Sequence, residues 1–527
     1  MGEQRTIRLA AIDLGSNSFH LLIVEAYSDG HFDTLVSQKE MLGLGEVVAQ
    51  YGFITDEEAD LAVETVRQFV MIAKSKQVEE ISAFATSAIR DAENSGDLVE
   101  RIYDETELVV EVISGHTEAR LIFEAIRASV IMNDATAVAF DLGGGSLEVM
   151  VGDQKSLSWA TSVRLGVARL SALIKSDPPS ETDQALARKH ITDVLAPIAK
   201  GVQEFKPQLA IGSSGTLCDL VRMAEINRSG RIPSSVNQLS VTRDDLLAVH
   251  QQIMTLPLEE RQRISGLERR RAKLIPAGSI LLDVVMELFE IDEFTGCEWA
   301  LREGMVLDAI SRHDLMDWVG DQSLIRKKSV MALGRRYGWD ALHARQVASL
   351  ATEIFDQTKE LHGLSDADRE LLEYGALLHD IGEYVSVEGH HKHGAYLVEN
   401  SNLRGFSPED IEVLLTLVRF HRGSSPKASF RPFGHLPESR QEQAIRMTAI
   451  LRLADGLDRG HSSVVEEIKI EVDDARVRIV LFGNDDLDLE CWGLRHKRPL
   501  FEKTFGHRVE VISGGHPCLY DPLKTQT

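Results

Sequence analysis

Two stretches of the chain place an acid beside a turn of small residues. Ala10–Glu25 reads AAIDLGSNSFHLLIVE and Ala139–Gly152 reads AFDLGGGSLEVMVG. In each, an apolar run ends in Asp, a short turn follows, and a second apolar run begins. A glycine-rich turn lets backbone N–H groups approach a phosphate without interference from Cβ, forming an anion-binding nest. An Asp at the end of the preceding strand can hold a magnesium ion, directly or through water. Two such hairpins facing one another would grip one phosphate from both sides of a cleft. A third small-residue turn, Gly212-Ser213-Ser214-Gly215-Thr216, follows another short apolar segment. Either hairpin alone would read as a plain β-hairpin with a convenient turn; the duplication favours phosphate. The chain contains no GxxxxGK[ST] loop and no strand-linked GxGxxG, so other nucleotide folds lose ground.

The elements around these turns alternate. Leu9–Leu14 and Phe19–Ala26 have strand character, Thr55–Glu58 reads as a capping box opening a helix, and Ile81–Thr86 and Val109–Ile113 are further short strands. The design restarts at Ala137–Leu142 and Leu147–Gly152, and Leu209–Ile211 leads through the third turn into a helix. From about Asp314 long amphipathic helices take over, as in Val347–Leu361 and Leu371–Leu378. Alternation returns in Val464–Val472 and Ala475–Phe482. The order is α/β, α/β, all-α, then a small tail domain.

At 527 residues the chain is too long for one core. Its net charge of −25, from 57 basic and 82 acidic residues, argues against a nucleic-acid binder. It still permits a polyanionic substrate held in a local basic groove, for which RQRISGLERRRAK at Arg261–Lys273 is the densest cationic stretch. Cys218, Cys297, Cys491 and Cys518 show no CxxC spacing and read as reduced thiols of a cytoplasmic protein. No apolar run reaches the length of a membrane span.

At this point a resemblance becomes specific. Duplicated lobes with one such hairpin apiece are the hallmark of the actin, hexokinase and heat-shock ATPase superfamily. Within it the chain resembles the exopolyphosphatase / guanosine pentaphosphate phosphatase family. The matching motifs are IDLGSNSFHLLI at Ile12–Ile23, ATSAIRDAEN at Ala85–Asn94, ISGHTEARLIF at Ile113–Phe123 and FDLGGGSLE at Phe140–Glu148. IGSSGT at Ile211–Thr216, LIPAG at Leu274–Gly278 and ALREG at Ala300–Gly304 complete the set. The resemblance implies two ribonuclease-H-like (actin-like) α/β lobes, residues 1–134 and 135–313. It adds an all-α HD-type domain, 314–460, and a small α+β C-terminal domain, 461–527.

The resemblance also implies the chemistry. Glu118 matches the catalytic glutamate that activates water. Asp141 and Glu148 match metal-associated carboxylates, with Asp13 a further candidate, for magnesium or manganese. Gly15, Ser16, Asn17 and Ser18 match the first phosphate loop, and Gly143, Gly144, Gly145 and Ser146 the second. Gly212, Ser213, Ser214, Gly215 and Thr216 form the third turn. Arg90 matches a phosphate-contacting arginine, whose planar fork bridges two oxygens. Arg269, Arg270, Arg271 and Lys273 are candidates for a polyphosphate track. Thr117 and Leu147 depart from the family pattern, which has a second Glu and a Thr there. The implied activity is processive release of phosphate from polyphosphate by Glu-activated water, in a cytoplasmic homodimer. The alternatives are hydrolysis of guanosine pentaphosphate, a superfamily kinase needing nucleotide and acceptor, or a sensor without turnover, which Glu118 argues against.

The helical region has its own constellation: His343 in HARQVASLA, His379-Asp380 in ALLHDIGEY, and Asp455 in RLADGLDR. The spacing resembles an HD phosphohydrolase site, in which two histidines and two aspartates bind one divalent metal. His390 and His421 fall where binuclear members place ligands for a second metal. The metal-free reading has Arg452 and Arg459 compensating Asp455.

Overall fold

The computed structural model describes residues 6–27, 31–313, 323–401, 403–483, 486–513 and 516–517, and divides into two compact units, Met1–Ile325 and Arg326–Thr527. The N-terminal unit contains two sheets. The first is built from β1 (Thr6–Leu14), β2 (Ser18–Tyr27), β3 (Phe32–Met41), β4 (Glu80–Ala85) and β5 (Glu111–Val112), in the order β3-β2-β1-β4-β5. The second contains β6 (Ala137–Leu142), β7 (Leu147–Gly152), β8 (Leu157–Val163), β9 (Leu209–Ser213), β10 (Ser240–Thr242) and β11 (Glu293–Gly296), in the order β10-β11-β9-β6-β7-β8.

The two sheets repeat one plan. In each, three strands joined by tight connections pair antiparallel, and the first of them then pairs in parallel with a strand reached through helices. A parallel pair needs such a crossover, whereas an antiparallel pair needs only a turn. The repetition is the mixed α/β, two-lobed, actin-like arrangement that the duplicated hairpins imply. It puts the two Asp-containing strand ends, Asp13 and Asp141, at equivalent positions of the two sheets. Asp141 lies directly across from Glu148 in the β6–β7 register.

The lobes share a core. Helices Gly115–Ser129 and Leu301–Arg312 lie between the sheets, and Leu121, Ile122, Phe123, Met305 and Ile310 join Leu9, Val24, Ala139 and Ile211 in one apolar cluster. The helices approach closely because Gly304 has no side chain: a Cβ there would sit 2.0 Å from the Leu121 carbonyl oxygen. This contact fixes the helix that carries Glu118.

The C-terminal unit is mainly helical as far as Gly456, its first helix being the part of Ser323–Arg336 that follows the boundary. It ends in a sheet of β12 (Glu467–Val472), β13 (Arg476–Phe482), β14 (Arg508–Ser513) and β15 (His516–Pro517) with two short helices between β13 and β14. Its helices and sheet are not separately cored. Leu350, Leu378, Leu414 and Leu453 belong to the same cluster as Ile479 and Val509.

Several expectations need correction. The side chain of Thr55 makes no cap hydrogen bond, so the capping box is absent there, whereas Thr242, Ser365 and Ser407 have complete boxes. The Val109–Ile113 strand shortens to Glu111–Val112. Cys218 and Cys297 are free and buried, but Cys491 is disulfide-bonded, against the expectation of reduced thiols throughout. Cys518 lies outside the described residues, and among those no helix is long and apolar enough to cross a membrane.

Gly304→Ala should push the two central helices apart and lower the thermal midpoint, at a cost of ~1–3 kcal/mol. Gly201→Ala, in open space inside helix Glu181–Gln203, should instead raise it. Equal midpoints for the two variants would contradict the packing described here.

Candidate functional site

The two turns are in contact. A Cβ on Gly144 would lie 3.2 Å from Ser16 Cβ and 3.3 Å from Asn17 Cβ, and one on Gly145 only 2.4 Å from Ser87 Oγ. Only glycine allows the second turn so near the first. The first turn is held from below: Ser16 and Ser87 hydroxyls hydrogen-bond at 2.6 Å, and the Ala88 N–H donates to Ser16 Oγ at 3.0 Å. The second is held by Arg169, which donates to the Gly145 carbonyl at 3.0 Å and pairs with Asp91 at 2.6 Å. Asp91 belongs to the first lobe and also binds Arg164 at 2.7 Å, so one carboxylate ties the lobes together beside the turns.

Four carboxylates converge behind the turns. Asp13 ends β1, Asp141 lies on β6 and accepts a hydrogen bond from Ser213, and Glu148 on β7 accepts one from Ser162 at 2.7 Å. Glu118 sits in the first turn of the helix Gly115–Ser129, capped by Ser114, and Arg90 Nη1 donates to its Oε2 at 3.0 Å. Burial pushes the Asp13 carboxyl up to about 7, with the nearby charges of Glu118 and Asp141 adding to the effect and Arg302 opposing it. Burial likewise raises Glu118 to about 7, against the pull of Arg90, and Asp141 to about 6. Fully buried Glu148 is raised well above the usual range. Asp13 keeps some exposed surface, yet its Oδ1, like Glu148 Oε2, is enclosed without a hydrogen-bond partner. Enclosed oxygens of this kind favour a cation or a proton.

The opposite wall is basic. A cavity of about 630 Å³ is lined by Asp13, Glu118 and Asp141, by all three turns, and by Lys39, Arg222, Arg271 and Arg302. Arg271 pairs with Asp219 at 3.0 Å and with Glu268 at 2.8 Å. It lies so close over Gly215 that a Cβ there would sit 1.9 Å from its Nη2. His20 faces the same space and is driven down to about 2 by burial and then by Arg302, Lys39 and Arg271, so it is a neutral imidazole there.

Of the residues expected from sequence, Gly15, Ser16, Asn17, Ser18, Gly143, Gly144, Ser146, Ser214, Gly215, Thr216 and Arg271 line this cavity. Gly145, Gly212, Ser213 and Glu148 support its walls from behind. Arg90 reaches Glu118 and the Ile113 carbonyl rather than the cavity surface. Arg269 and Arg270 are exposed and do not line the cavity, although the charge of Arg270 reaches Lys39, and Lys273 is exposed 3.6 Å from Glu46. Lys39, Arg222 and Arg302 were missed. Arg302 lies inside the ALREG motif and was within reach of a closer reading, whereas a lone lysine on a polar strand gave no signal.

In the C-terminal unit five expected residues meet. His343 Nε2 and His379 Nε2 are 3.2 Å apart, and each lies within 3.6 Å of Asp380 Oδ2. His390 Nε2 and His421 Nε2 are 3.1 Å apart, at 3.1 and 3.4 Å from Asp380 Oδ1, an enclosed oxygen without a hydrogen-bond partner. The Nδ1 atoms of His379, His390 and His421 point at the carbonyls of Ala376, Val387 and Val418, which assigns their protons there and turns three lone pairs toward Asp380. Paired lone pairs at such distances need a shared proton or a cation between them. Asp455, expected as a fourth ligand, is ion-paired with Lys497 instead. Arg452, expected to compensate it, donates to the carbonyls of Phe420, Gly423 and Ser424. Asp458 was missed: its Oδ2 holds His343 Nδ1 at 2.8 Å, and burial of His343 is outweighed by Asp380 and Asp458, which carry it up to about 9.

Residues 23–313 match the Ppx/GppA phosphatase family, and residues 325–497 match Ppx/GppA phosphatase, domain III. The chain is 35% identical over 303 residues to "Exopolyphosphatase 1" of Mycobacterium leprae, a match covering 57% of this chain and 89% of that protein. A crystal structure of an exopolyphosphatase from Cytophaga hutchinsonii superposes with a TM-score of 0.54 at 32% identity, covering 57% of this chain and 98% of that one. The Aquifex aeolicus Ppx/GppA family member superposes with a TM-score of 0.52 at 27% identity, covering 59% and 99%.

The buried carboxylates set a pH dependence. In the folded state Asp13 and Glu118 hold protons up to about pH 7, whereas unfolded carboxyls release them near pH 4. Without divalent cations, the contribution of these two carboxyls to stability is therefore fully present below about pH 4 and is lost as pH rises through 7. Thermal midpoints between pH 5 and pH 8 should decline, less steeply in Asp13→Asn, and a midpoint rising with pH would contradict the assignment.

Proposed function

The chain belongs to the Ppx/GppA phosphatase family, and on that premise we propose that its N-terminal unit removes the terminal phosphate of inorganic polyphosphate by hydrolysis. The observation that carries this reading is Glu118. It is a buried carboxyl raised to about 7, held by Arg90 at 3.0 Å, and it faces a cavity lined by three small-residue turns. A carboxylate balanced near neutral pH suits a general base. It would take a proton from water as that water attacks the terminal phosphorus.

The remaining residues position and neutralise. The backbone amides of the first two turns would hold the terminal phosphate from both sides, and Lys39, Arg271 and Arg302 would face the phosphates behind it. Asp13, Asp141 and Glu148 fit a hard divalent cation, magnesium or manganese, because they offer only oxygen and two of their oxygens are enclosed without partners. Bound there, the cation would neutralise charge on the phosphate oxygens during transfer. That the similar proteins are named exopolyphosphatases supports polyphosphate, over guanosine pentaphosphate, as the substrate of this chain. In the C-terminal unit, His343, His379 and Asp380, with His390 and His421 on the second oxygen of Asp380, would hold one or two divalent metals.

Glu118→Gln should bind polyphosphate normally but release phosphate at least ~100-fold more slowly. Turnover close to the unaltered rate would remove Glu118 from the mechanism. The assay contains no acceptor, so phosphate release from the unaltered protein also separates hydrolysis from a kinase.

Asp141→Asn should raise the magnesium concentration needed for half-maximal rate. For the second site, elemental analysis of protein purified without chelator should find bound transition metal that Asp380→Ala abolishes. Metal-free protein would mean that shared protons hold the histidine pairs.

A further inference from the structure

Beside the Asp380 cluster, within the C-terminal unit, opens a second cavity of about 540 Å³. Its floor carries Asp380, His390, His421 and Asp455, and its walls bring in groups from the terminal helices. Those walls exist because Gly456 and Gly493 let two helices meet backbone to backbone: a Cβ on Gly493 would lie 2.3 Å from the Gly456 carbonyl oxygen. The crossing sets Trp492, His496 and Lys497 over Asp455.

The walls combine cationic and apolar groups. Arg422 and Arg459 line the cavity together with Lys497, which is already paired with Asp455. Arg422 and Arg459 are exposed and have no carboxylate partner among the described residues; Arg422 only turns Nη1 toward His390 Nε2 at 3.5 Å. The loop bearing His421 and Arg422 is pinned by the three carbonyl bonds of Arg452. Trp492 is half-buried with its ring 4.1 Å from that of His496, and Val387, Pro499 and Leu500 add apolar surface. Unpaired arginines and a half-buried indole in one cavity match a ligand with a phosphate head and a flat aromatic body. The volume lies within the range of small-molecule sites and far exceeds what orthophosphate alone would fill.

We propose that this cavity binds a nucleoside phosphate, its phosphate between the Asp380 cluster and the two unpaired arginines Arg422 and Arg459, and its base against Trp492. The proposal rests on the metal reading of that cluster. Asp380, Asp455 and Glu383 all face the cavity and would repel an anion unless a cation neutralises the floor. Base stacking on the indole is tolerant of base identity, so the class is nucleoside phosphates rather than one nucleotide.

The test is calorimetric titration of the full chain, in the Glu118→Gln background and loaded with manganese, using AMP, ribose 5-phosphate and adenosine. AMP should bind more tightly than either fragment. Trp492→Ala should weaken AMP at least tenfold and leave ribose 5-phosphate unchanged. Arg422→Ala with Arg459→Ala, both exposed positions, should weaken AMP and ribose 5-phosphate alike. Both variants should keep the manganese content of the parent. Trp492→Phe should retain AMP affinity, which separates stacking from loss of structure. Protein that takes up no manganese refutes the metal reading and this proposal with it. Manganese-loaded protein that does not bind AMP, or binds it equally in the tryptophan and double-arginine variants, refutes this proposal alone.

Discussion

Asp13, Glu118, Asp141 and Glu148 are buried within range of one another's charge, and the N-terminal unit is organised around the cost of that arrangement. Isolated carboxylates do not stay ionised in such surroundings; they take up protons or acquire counter-charge. The fold supplies that counter-charge only in part. Arg90 reaches Glu118, Ser213 and Ser162 reach Asp141 and Glu148, and two oxygens receive nothing. The deficit is local, because each carboxylate is set by a backbone that packs for other reasons: two strand ends, one cross-strand neighbour and one helix wedged in place by Gly304.

The C-terminal unit solves a similar problem with a different balance. Asp380 stands between two pairs of histidines whose remaining nitrogens are already committed to carbonyls or to Asp458. Burial works against its charge, but His379, His343 and His390 together hold its carboxyl far below the ordinary range. Asp455, one helix away, takes its counter-charge from Lys497 in the terminal segment and is held down to about 2 despite burial. The helical part and the terminal segment thus depend on each other electrostatically as well as through their common core.

What the sequence disclosed follows from how local each signal is. Asp13, Asp141 and their turns are contiguous in the chain, so strand, acid and turn could be read together, and the repetition revealed the two lobes. Glu118 was legible only through its motif, since an acid in a first helical turn ordinarily just complements the helix dipole. Lys39 and Arg222 entered the site from a polar strand and a helix face that look solvated in sequence. The histidines of the second unit were legible by spacing, but the partner of Asp455 lies 42 residues away and left no trace near it. Asp458, three residues after Asp455, was readable in the same motif and passed unnoticed.

The contact between the two turns has a consequence for what kind of molecule the cleft admits. With Gly144 and Gly145 resting on Ser16, Asn17 and Ser87, no chain passes between the two turns at that point. Under the function proposed above, a linear chain would enter tip first, which would bring the outermost bond to Glu118 and keep interior bonds outside. The preference for chain ends would then need no separate recognition of a terminus, because the contact between the turns imposes it. A cyclic phosphate, having no tip to insert, would be excluded by shape alone although it carries the same bonds and the same charge per phosphate.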